Sequence, residues 1–311
     1  MLEADAIITL GAGRYRLRER LGGSAYGVVW RAAGPTGEVA LKLVNTGQMA
    51  RAHPTLHARW SDSARKEIAF LRSLAPWDER HIVRLLDSGE HDGQPVMALE
   101  LMAGDLSRHV AQERQAARTL PLARILGWLA QINQALAKVH QYGWRYLDLK
   151  PANVLLCAGA AQARLADFGT NRRLDERCAP LYAGTASWQA PEQFFPAPDG
   201  SYHTDARSDY FALGAMLFYL VTGGLPLRFC SDCGDAYRRH QADGAAVLLA
   251  RHGNRPPPTL ADSEAALFVS RTGGGRTGQA ALRLLRTLLA GERSERPANA
   301  LQISRQLAAI A

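Results

Sequence analysis

Apolar positions in the first hundred residues follow the two-residue period of β-strands. The segment "RYRLRERL" alternates polar and apolar side chains, and "GVVWRAA" and "EVALKLV" follow it across a turn. A helical stripe of Glu67, Phe70, Leu71 and Leu74 comes next, with Ser61 or Ser63 as the capping residue. Two more strand-like segments, "HIVRLLDSG" and "PVMALEL", follow. The pattern predicts a small strand-rich unit with one principal helix.

The apolar period changes to that of helices from Pro121 onward. The stripe on the first helix consists of Ile125, Trp128, Leu129, Ile132, Leu136 and Val139. A strand pair is expected near Val154–Leu156 and Ala163–Ala166. An all-round apolar helix near Ser208–Val221 and a terminal helix after Pro297 are also expected. The second part of the chain is therefore predicted to be mainly helical.

The change of period divides the chain near Leu101–Gly104. This division gives an N-terminal extension over residues 1–13, a strand-rich unit over 14–101 and a helical unit over 102–311. Within the helical unit, residues 228–278 are rich in Gly, Pro, Asp and Arg. That composition predicts an insertion made of loop, with a helix near Ala242–Arg251. The predicted fold class is α+β.

Composition places the chain among soluble globular proteins, since 47% of its 311 residues are apolar and 21% are charged. The longest nearly uncharged run, Tyr210–Pro226, is too short to span a membrane, and the acidic start of the chain argues against a secretory signal. Four cysteines do not make a disulfide framework at this length, so reduced thiols and a cytoplasmic location are expected. For the lone CxxC pair, Cys230 and Cys233, two thiols in a loop are favoured over a zinc site.

The chain is basic, with a net charge of +8. Because its arginines are scattered singly, a solvated surface is favoured over a nucleic-acid groove, and no nucleic-acid partner is expected. The lysines of the chain are only Lys42, Lys66, Lys138 and Lys150. In a chain that otherwise uses arginine, a lysine at a motif position indicates that a compact ammonium group is needed there.

The segment "LGGSAYGVVW" contains glycines that would let the backbone approach phosphate groups closely. These glycines are Gly22, Gly23 and Gly27. Alone, the pattern also fits an ordinary glycine hairpin, and Ser24 stands where a G-x-G-x-x-G motif has its second glycine. A later strand ends in "VALK", where Lys42 lies between apolar neighbours, and Glu67 on the following helix offers this lysine an ion-pair partner.

The segment "WRYLDLKPANVLL" brings an acid, an ammonium and a carboxamide together at the spacing Asp148-x-Lys150-x-x-Asn153. Asp148 could orient a hydroxyl group or accept its proton, and Lys150 could neutralise charge on a group in transfer. Asn153 and Asp167, the latter in "ADFG", offer the hard oxygen ligands that Mg²⁺ prefers. Singly, each residue also fits a capping or turn position; together they indicate phosphoryl transfer.

These motifs resemble those of the protein kinase family over nearly the whole chain. The family's glycine-rich loop is similar to "LGGSAYGVV", and its strand lysine and helix glutamate are similar to Lys42 and Glu67. Its catalytic loop is similar to "YLDLKPAN", its metal motif to "DFG" and the end of its activation segment to "GTASWQAPE". "DLKPAN" and Thr185 have the serine/threonine form. The resemblance implies a bilobal kinase fold and ATP-dependent phosphorylation of serine or threonine on a protein substrate.

The resemblance also implies the role of each site residue. The implied catalytic residues are Lys42, Glu67, Asp148 and Lys150, and the implied ligands of Mg²⁺, or of Mn²⁺, are Asn153 and Asp167. The implied ATP-binding residues are Leu21, Gly22, Gly27, Val29, Ala40, Lys42, Glu100, Met102, Asp105 and Leu155, with Leu99 as gatekeeper. An apolar spine would consist of Leu71, Leu85, Tyr146 and Phe168. Asp209 would brace the catalytic loop, and Arg296 would pair with Glu192.

Three residues depart from the family pattern. Tyr146 replaces the usual His before the catalytic acid, and Leu147 replaces the usual Arg, so the chain would be of the non-RD type. That Arg normally meets an activation-loop phosphate, so we expect activity that does not depend on phosphorylation through this contact. Ser24 would restrict closure of the glycine loop and weaken ATP binding by roughly 1 kcal/mol.

Two other functions remain open beside an active kinase. The first is a pseudokinase that acts as an ATP-binding scaffold or interaction module, and the second is a small-molecule phosphotransferase of kinase-like fold. The presence of Lys42, Asp148 and Asp167 favours the active kinase, and the "APE" segment favours a protein substrate. The sequence leaves the oligomeric state open.

Overall fold

The computed structural model describes residues 3–24, 26–176, 178–179 and 184–310, without the side chains of residues 178 and 179. These residues form two compact units. The first contains the described residues up to Ala103 together with Cys157–Gly159 and Ala166–Gly169, and the second contains the others. The first unit is rich in strands and the second mainly helical, so the predicted α+β class is confirmed.

The first unit is built on an antiparallel sheet whose strands lie in the order β1-β2-β3-β4-β6-β5. Its strands are β1 (Ile7–Leu10), β2 (Gly13–Gly23), β3 (Gly27–Gly34), β4 (Gly37–Val44), β5 (Leu85–His91) and β6 (Gln94–Glu100). Alternate side chains on one face form the core, with Ile8, Leu17 and Leu41 fully buried. Residues 7–10, which the sequence placed in an extension, add an edge strand that pairs with β2.

The helices of the first unit are α1 (Thr46–Met49) and α2 (Ala58–Ser73). The prediction that Ser61 or Ser63 caps the principal helix is wrong, because α2 begins at Ala58, directly after a 3-10 turn over Pro54–Leu56. Both serines lie inside the helix and bond other elements. The Ser61 hydroxyl donates to the Gln94 side chain at 2.5 Å.

The second unit contains short strands and many helices. Its strands are β7 (Gly104–Asp105), β8 (Trp144–Arg145), β9 (Val154–Leu156), β10 (Ala163–Leu165), β11 (Arg172–Arg173), β12 (Cys178–Ala179) and β13 (Tyr202–His203). Its helices are α3 (Leu106–Gln115), α4 (Leu122–Gln141), α5 (Pro191–Phe194), α6 (Ala206–Val221), α7 (Arg228–His240), α8 (Gly244–Arg251), α9 (Asp262–Arg271), α10 (Gly275–Leu288) and α11 (Ala300–Ala308). As predicted, α4 follows Pro121 and α6 is apolar on all sides.

The prediction that residues 228–278 form a loop with one helix is wrong. This segment contains α7, α8, α9 and the start of α10. Cys230 and Cys233 accordingly lie in a helix, where both are buried, and not in a loop. The stripe of α7 consists of Phe229, Cys230, Cys233 and Ala236, whose small and sulfur-bearing side chains give a weak apolar signal among many polar residues.

No helix among the described residues has both the length and the apolar character needed to cross a bilayer.

Candidate active site

The first group of candidate residues is the lysine cluster, which consists of Lys42, Glu67 and Asp167. On β4, Leu41 and Leu43 face the core, so alternation turns Lys42 to the opposite face. The Lys42 Nζ lies 2.6 Å from Glu67 Oε2 and 2.8 Å from Asp167 Oδ1. The ion pair between Lys42 and Glu67 that the sequence predicts is therefore present.

In the lysine cluster, burial and the neighbouring charges shift the pKa values of the side chains in opposite directions. Burial lowers the pKa of Lys42, but the carboxylates of Asp167 and Glu67 outweigh it and raise that pKa above its usual value. Burial raises the pKa of Glu67, and the Lys42 ammonium opposes this shift. Because Lys42 stays charged and makes two bonds at once, its ammonium group is fixed in position.

The "DFG" turn is held from the side of α2. Asp167 adopts a left-handed backbone conformation with φ of 61°, and the buried Phe168 ring packs against Phe70 with centroids 4.7 Å apart. The Ser63 hydroxyl donates to the carbonyl of Gly169 at 3.1 Å. A Cβ atom on Gly169 would lie 2.2 Å from that hydroxyl, so a side chain here would displace the Ser63 hydroxyl from this bond.

The glycine loop between β2 and β3 lies over a cavity that the lysine cluster lines together with Ser24 and Gly27. The Ser24 hydroxyl accepts bonds from the backbone N–H groups of Tyr26 and Gly27, each at 3.2 Å. Asn45 donates to the Ser24 carbonyl at 2.8 Å. A Cβ atom on Gly27 would lie 3.3 Å from the side chain of Lys42, so a glycine keeps this approach open.

The second group is the catalytic-loop cluster, which consists of Asp148, Lys150, Asn153 and Thr185. Lys150 Nζ lies 2.8 Å from Asp148 Oδ2 and 2.7 Å from Thr185 Oγ1. The Thr185 hydroxyl donates to Asp148 Oδ1 at 2.7 Å, and Asn153 Nδ2 donates to Asp148 Oδ2 at 3.0 Å. Thr185 thus contacts both Asp148 and Lys150. These bonds fix the Asp148 carboxylate on several sides.

The backbone before Asp148 is braced by Asp209, as the sequence predicts. The buried Asp209 carboxylate accepts bonds from the N–H groups of Tyr146 and Leu147 at 2.9 and 2.6 Å and contacts His140 Nε2 at 2.8 Å. Leu147 has φ of 65°, a conformation that costs a non-glycine residue about 1 kcal/mol or more. Gln193 donates to the Leu147 carbonyl at 3.1 Å, so both backbone polar groups of Leu147 are hydrogen-bonded.

The "APE" glutamate pairs with the predicted arginine. Arg296 Nη1 and Nη2 lie 2.7 and 2.8 Å from the two Glu192 carboxylate oxygens, and the Ser208 hydroxyl donates to Glu192 at 2.6 Å. The Arg296 guanidinium also lies over the Phe211 ring, 5.1 Å from its centroid. This two-bond geometry fastens the segment that carries Thr185 to the end of the chain.

The remaining candidate residues fall into two sets. In the first unit, Gly22 pairs with Val29 across β2 and β3, and Leu21, Val29 and Ala40 are half-buried. Glu100 ends β6, where its carboxylate accepts a bond from the N–H of Arg84 at 2.9 Å, and Met102 follows it.

In the second unit, Asp105 and Leu155 are cross-strand partners of β7 and β9. Asp105 also caps α3, because its side chain accepts a bond from the N–H of Arg108 at 2.9 Å. The contact with ATP that the resemblance implies for Asp105 would therefore have to share this carboxylate with the helix cap.

No motif in the sequence indicates the roles of two residues, Gln193 and Arg145. Gln193 bonds the Leu147 carbonyl, and Arg145 is a fully buried arginine that bonds Thr204 and two backbone carbonyls. The only signal for Arg145 was a charged residue between two aromatic residues in "WRY".

Comparison with known proteins agrees with this geometry. The chain matches the protein kinase domain model over residues 15–306, so it belongs to the protein kinase family, as the motifs predict. The kinase domain of PknI from Mycobacterium tuberculosis, seen in a crystal structure, has the same fold, with a TM-score of 0.64 at 24% sequence identity. That alignment covers 100% of this chain and 99% of the PknI domain.

Several curated relatives are bacterial kinases. The chain is 28% identical, over 99% of its length, to the serine/threonine-protein kinase pkn2 of Myxococcus xanthus, of which it covers 34%. It is 29% identical, over 92% of its length, to PknJ of Mycobacterium tuberculosis, of which it covers 45%. It is 34% identical, over 74% of its length, to the DNA damage-responsive kinase RqkA of Deinococcus radiodurans, of which it covers 33%. The chain thus spans a third to a half of the length of these relatives.

Proposed function

We propose that this chain is an active serine/threonine protein kinase that transfers the γ-phosphoryl group of ATP to hydroxyl groups of a protein. The observation that carries the proposal is the mutual bonding of Asp148, Lys150 and Thr185 at 2.7–2.8 Å. A scaffold without transfer activity has no need to hold an acid, an ammonium and a hydroxyl in this arrangement. The relatives named as serine/threonine-protein kinases support the same function.

In this proposal the catalytic-loop cluster acts on the acceptor hydroxyl. Asp148 is nearly buried and already fixed by three neighbours, so it would orient an incoming hydroxyl and accept its proton without rearranging. Lys150 would offset negative charge on the phosphoryl group as it moves, since it lies next to Asp148. Thr185 bonds the Asp148 carboxylate and the Lys150 ammonium and so holds them next to each other.

The lysine cluster would act on the nucleotide. Lys42, held by Glu67 and Asp167, would orient the ATP phosphates, and the glycine loop with Gly22 and Gly27 would supply backbone N–H groups. Leu21, Val29, Ala40 and Leu155 would contact adenine, while Glu100 and Met102 would bond its edge and Asp105 would lie near the ribose. These adenine and ribose roles rest on the family resemblance.

The donor set fits a hard divalent cation, since Asp167 supplies carboxylate oxygen and Asn153 supplies amide oxygen. Asn153 bonds Asp148 through Nδ2, so its side-chain carbonyl oxygen would be the ligand. The described residues hold no group of three or more His, Cys, Asp or Glu side chains that could bind a metal, so most ligands would come from ATP phosphates and water. Mg²⁺, or Mn²⁺, would neutralise phosphate charge when bound.

The experiment measures transfer of labelled phosphate from ATP to a generic basic protein with Mg²⁺ present. Asp148→Asn should lower kcat by about 100-fold or more, because the general base and the orienting charge are lost. Lys42→Met should lower kcat/KM for ATP strongly. Lys66→Met, which removes an exposed lysine one residue from Glu67, is the matched control and should leave the rate unchanged.

Equal transfer by the wild type and Asp148→Asn would contradict the proposal. Binding of ATP without transfer would indicate the pseudokinase, and transfer only to small molecules would indicate the third function. Chelation of divalent cations should abolish transfer, and readdition of Mg²⁺ should restore it. A cytoplasmic location stays a prediction.

We also propose that the kinase is of the non-RD type and does not need activation-loop phosphorylation. Leu147 is 5% exposed and carries no charge for a phosphate to meet. Phosphatase treatment should therefore leave kcat unchanged. An inactive dephosphorylated chain that recovers on phosphorylation at Thr170, Thr185 or Ser187 would overturn this proposal.

A further inference from the structure

Arg145 is among the largest side chains that are fully buried in the second unit, with 0% of its surface exposed. Its Nε donates to the Thr204 hydroxyl at 2.7 Å. Its Nη1 donates to the carbonyl of Arg173, and its Nη2 donates to the carbonyl of Glu176. Every nitrogen of the guanidinium group thus has an acceptor, and all three acceptors are neutral oxygens.

A buried arginine on neutral acceptors costs free energy that an apolar side chain of similar size would not. Burial lowers the pKa of Arg145, and the charge of Arg172 lowers it further, although Asp209 and Glu176 oppose these effects. An apolar side chain would lack the N–H donors of the planar guanidinium group, which can hold several carbonyl groups in one geometry. The cost therefore indicates that Arg145 positions its partners.

The carbonyl partners of Arg145 belong to the start of the activation segment, a few residues after Asp167. The same stretch pairs with residues 143–145 through other contacts. Arg172 and Arg173 of β11 face Arg145 and Trp144 of β8, and the N–H of Leu174 donates to the carbonyl of Gly143 at 2.8 Å. Residues 172–176 are thus fastened to the strand that leads into the catalytic loop, three residues before Asp148.

We propose that Arg145 is a positioning residue that holds residues 172–176 of the activation segment in place without any phosphate. This inference rests on the proposed kinase function. In the family pattern, an arginine beside the catalytic acid holds a phosphorylated activation loop; in this chain that position is Leu147, and Arg145 holds the segment through its own carbonyl groups. Thr204, one residue before the Asp205 cap of α6, fixes the third edge of the guanidinium.

The test compares Arg145→Gln, Arg145→Lys and a matched control, Arg173→Gln, in the full chain. Arg173 contributes only its backbone carbonyl to Arg145, so the control keeps the proposed bond. It removes a side chain that lies over the Trp144 ring and pairs with the exposed Asp175 at 3.4 Å, and a surface pair of this kind contributes little to stability. Arg145→Gln should lower kcat at least 10-fold while KM for ATP stays within 2-fold. Amide hydrogen exchange of residues 172–176 should accelerate at least 10-fold, with α4 and α6 unchanged. Arg145→Lys should recover part of both effects, and Arg173→Gln should stay within 2-fold of the wild type.

Unchanged exchange of residues 172–176 in a folded Arg145→Gln protein would overturn the proposal. If that variant does not fold, Thr204→Val carries the test, because it removes one acceptor and keeps the shape of the side chain. Exchange of residues 172–176 should then rise about 3-fold in Thr204→Val and stay at the wild-type rate in Thr204→Ser; no rise in Thr204→Val would refute the idea. A wild type that transfers no phosphate would refute the proposed function, and the exchange measurement would still decide on Arg145.

Discussion

At the scale of single residues, Ser24 has a second effect on the glycine loop beyond the bulk of its β-carbon. Its hydroxyl accepts bonds from the N–H groups of Tyr26 and Gly27, which are the kind of donors that a glycine loop offers to phosphates. These bonds must break before the same N–H groups can meet ATP. ATP binding is therefore weakened by two effects. One is the roughly 1 kcal/mol expected from the β-carbon, and the other is the cost of breaking the bonds of the Ser24 hydroxyl.

Ser24→Gly removes both the β-carbon and the hydroxyl, so it should lower KM for ATP by about 30-fold, which corresponds to roughly 2 kcal/mol for the two effects together. Ser24→Ala separates the two causes, because it removes the hydroxyl and keeps the β-carbon. Steady-state kinetics at saturating protein substrate measures both variants. A KM that is unchanged in Ser24→Gly and in Ser24→Ala would show that the loop amides do not bind phosphate.

The single residues also show what the sequence could predict. Lys42, Asp148 and Lys150 were predicted because motif spacing and local apolar context place their side chains, and the contacts of these residues are present as expected. Arg145 could not be predicted, because its partners come from 28 to 59 positions further along the chain. No residue near Arg145 in the sequence indicates that the carbonyl groups of Arg173 and Glu176 lie next to it.

At the scale of elements, the sequence predicted those with strong apolar stripes and missed those without. The stripe of α4 is made of large aliphatic and aromatic side chains and was found. The α7 and α9 helices bury few large residues, and Phe268 with Ala265 is the buried set of α9. Around them, the three consecutive glycines at 273–275 give a strong loop signal. Tertiary packing decides the structure of such segments, and their local pattern does not.

The ion pair of Glu192 and Arg296 tests how firmly the elements are joined. It connects the first turn of α5 to the segment before α11, and the Arg296 side chain is fully buried. Glu192→Gln should lower the free energy of unfolding by about 3 kcal/mol, because a buried guanidinium loses its counter-charge. Glu295→Gln, which changes an exposed glutamate next to Arg296, is the control and should change stability by less than about 0.5 kcal/mol.

Urea denaturation followed by circular dichroism measures both variants. Arg296→Lys should not keep the stability of the wild type either, since lysine cannot form the two-bond geometry with Glu192. A change below about 1 kcal/mol in Glu192→Gln would show that the pair is well solvated and does not join these elements.

At the scale of the whole molecule, membership of the protein kinase family accounts for residues 15–306 and hence for most of the architecture. Several features of this chain lie outside the motifs. They include the edge strand β1, the Arg145 bonds and the buried thiols of α7. The Arg145 bonds and the burial of the α7 thiols depend on packing between distant parts of the sequence, which motif recognition alone could not reveal. The strand β1 pairs with the neighbouring β2 and lies before the first residue of the family match.

The buried thiols of α7 give a probe of unfolding for the second unit. Burial raises the pKa of the Cys230 thiol to about 12, and it raises that of Cys233 as well. At pH 8 the native thiols are therefore almost wholly protonated, whereas unfolding returns their pKa to about 9. Since the thiolate is the reactive form, iodoacetamide should label Cys230 and Cys233 only as fast as the unit unfolds, and after the half-buried Cys157.

The raised pKa of the buried thiols also determines how the stability of the fold changes with pH. The native state binds more protons than the unfolded state between pH 9 and 12, so these thiols stabilise the fold below pH 9 and lose that contribution as the pH rises towards 12. Mass spectrometry of each labelled cysteine, at several urea concentrations, measures the rates. Labelling of Cys230 and Cys233 in native buffer as fast as in a denatured sample would contradict their burial. It would mean that α7 opens locally, without unfolding of the rest of the unit.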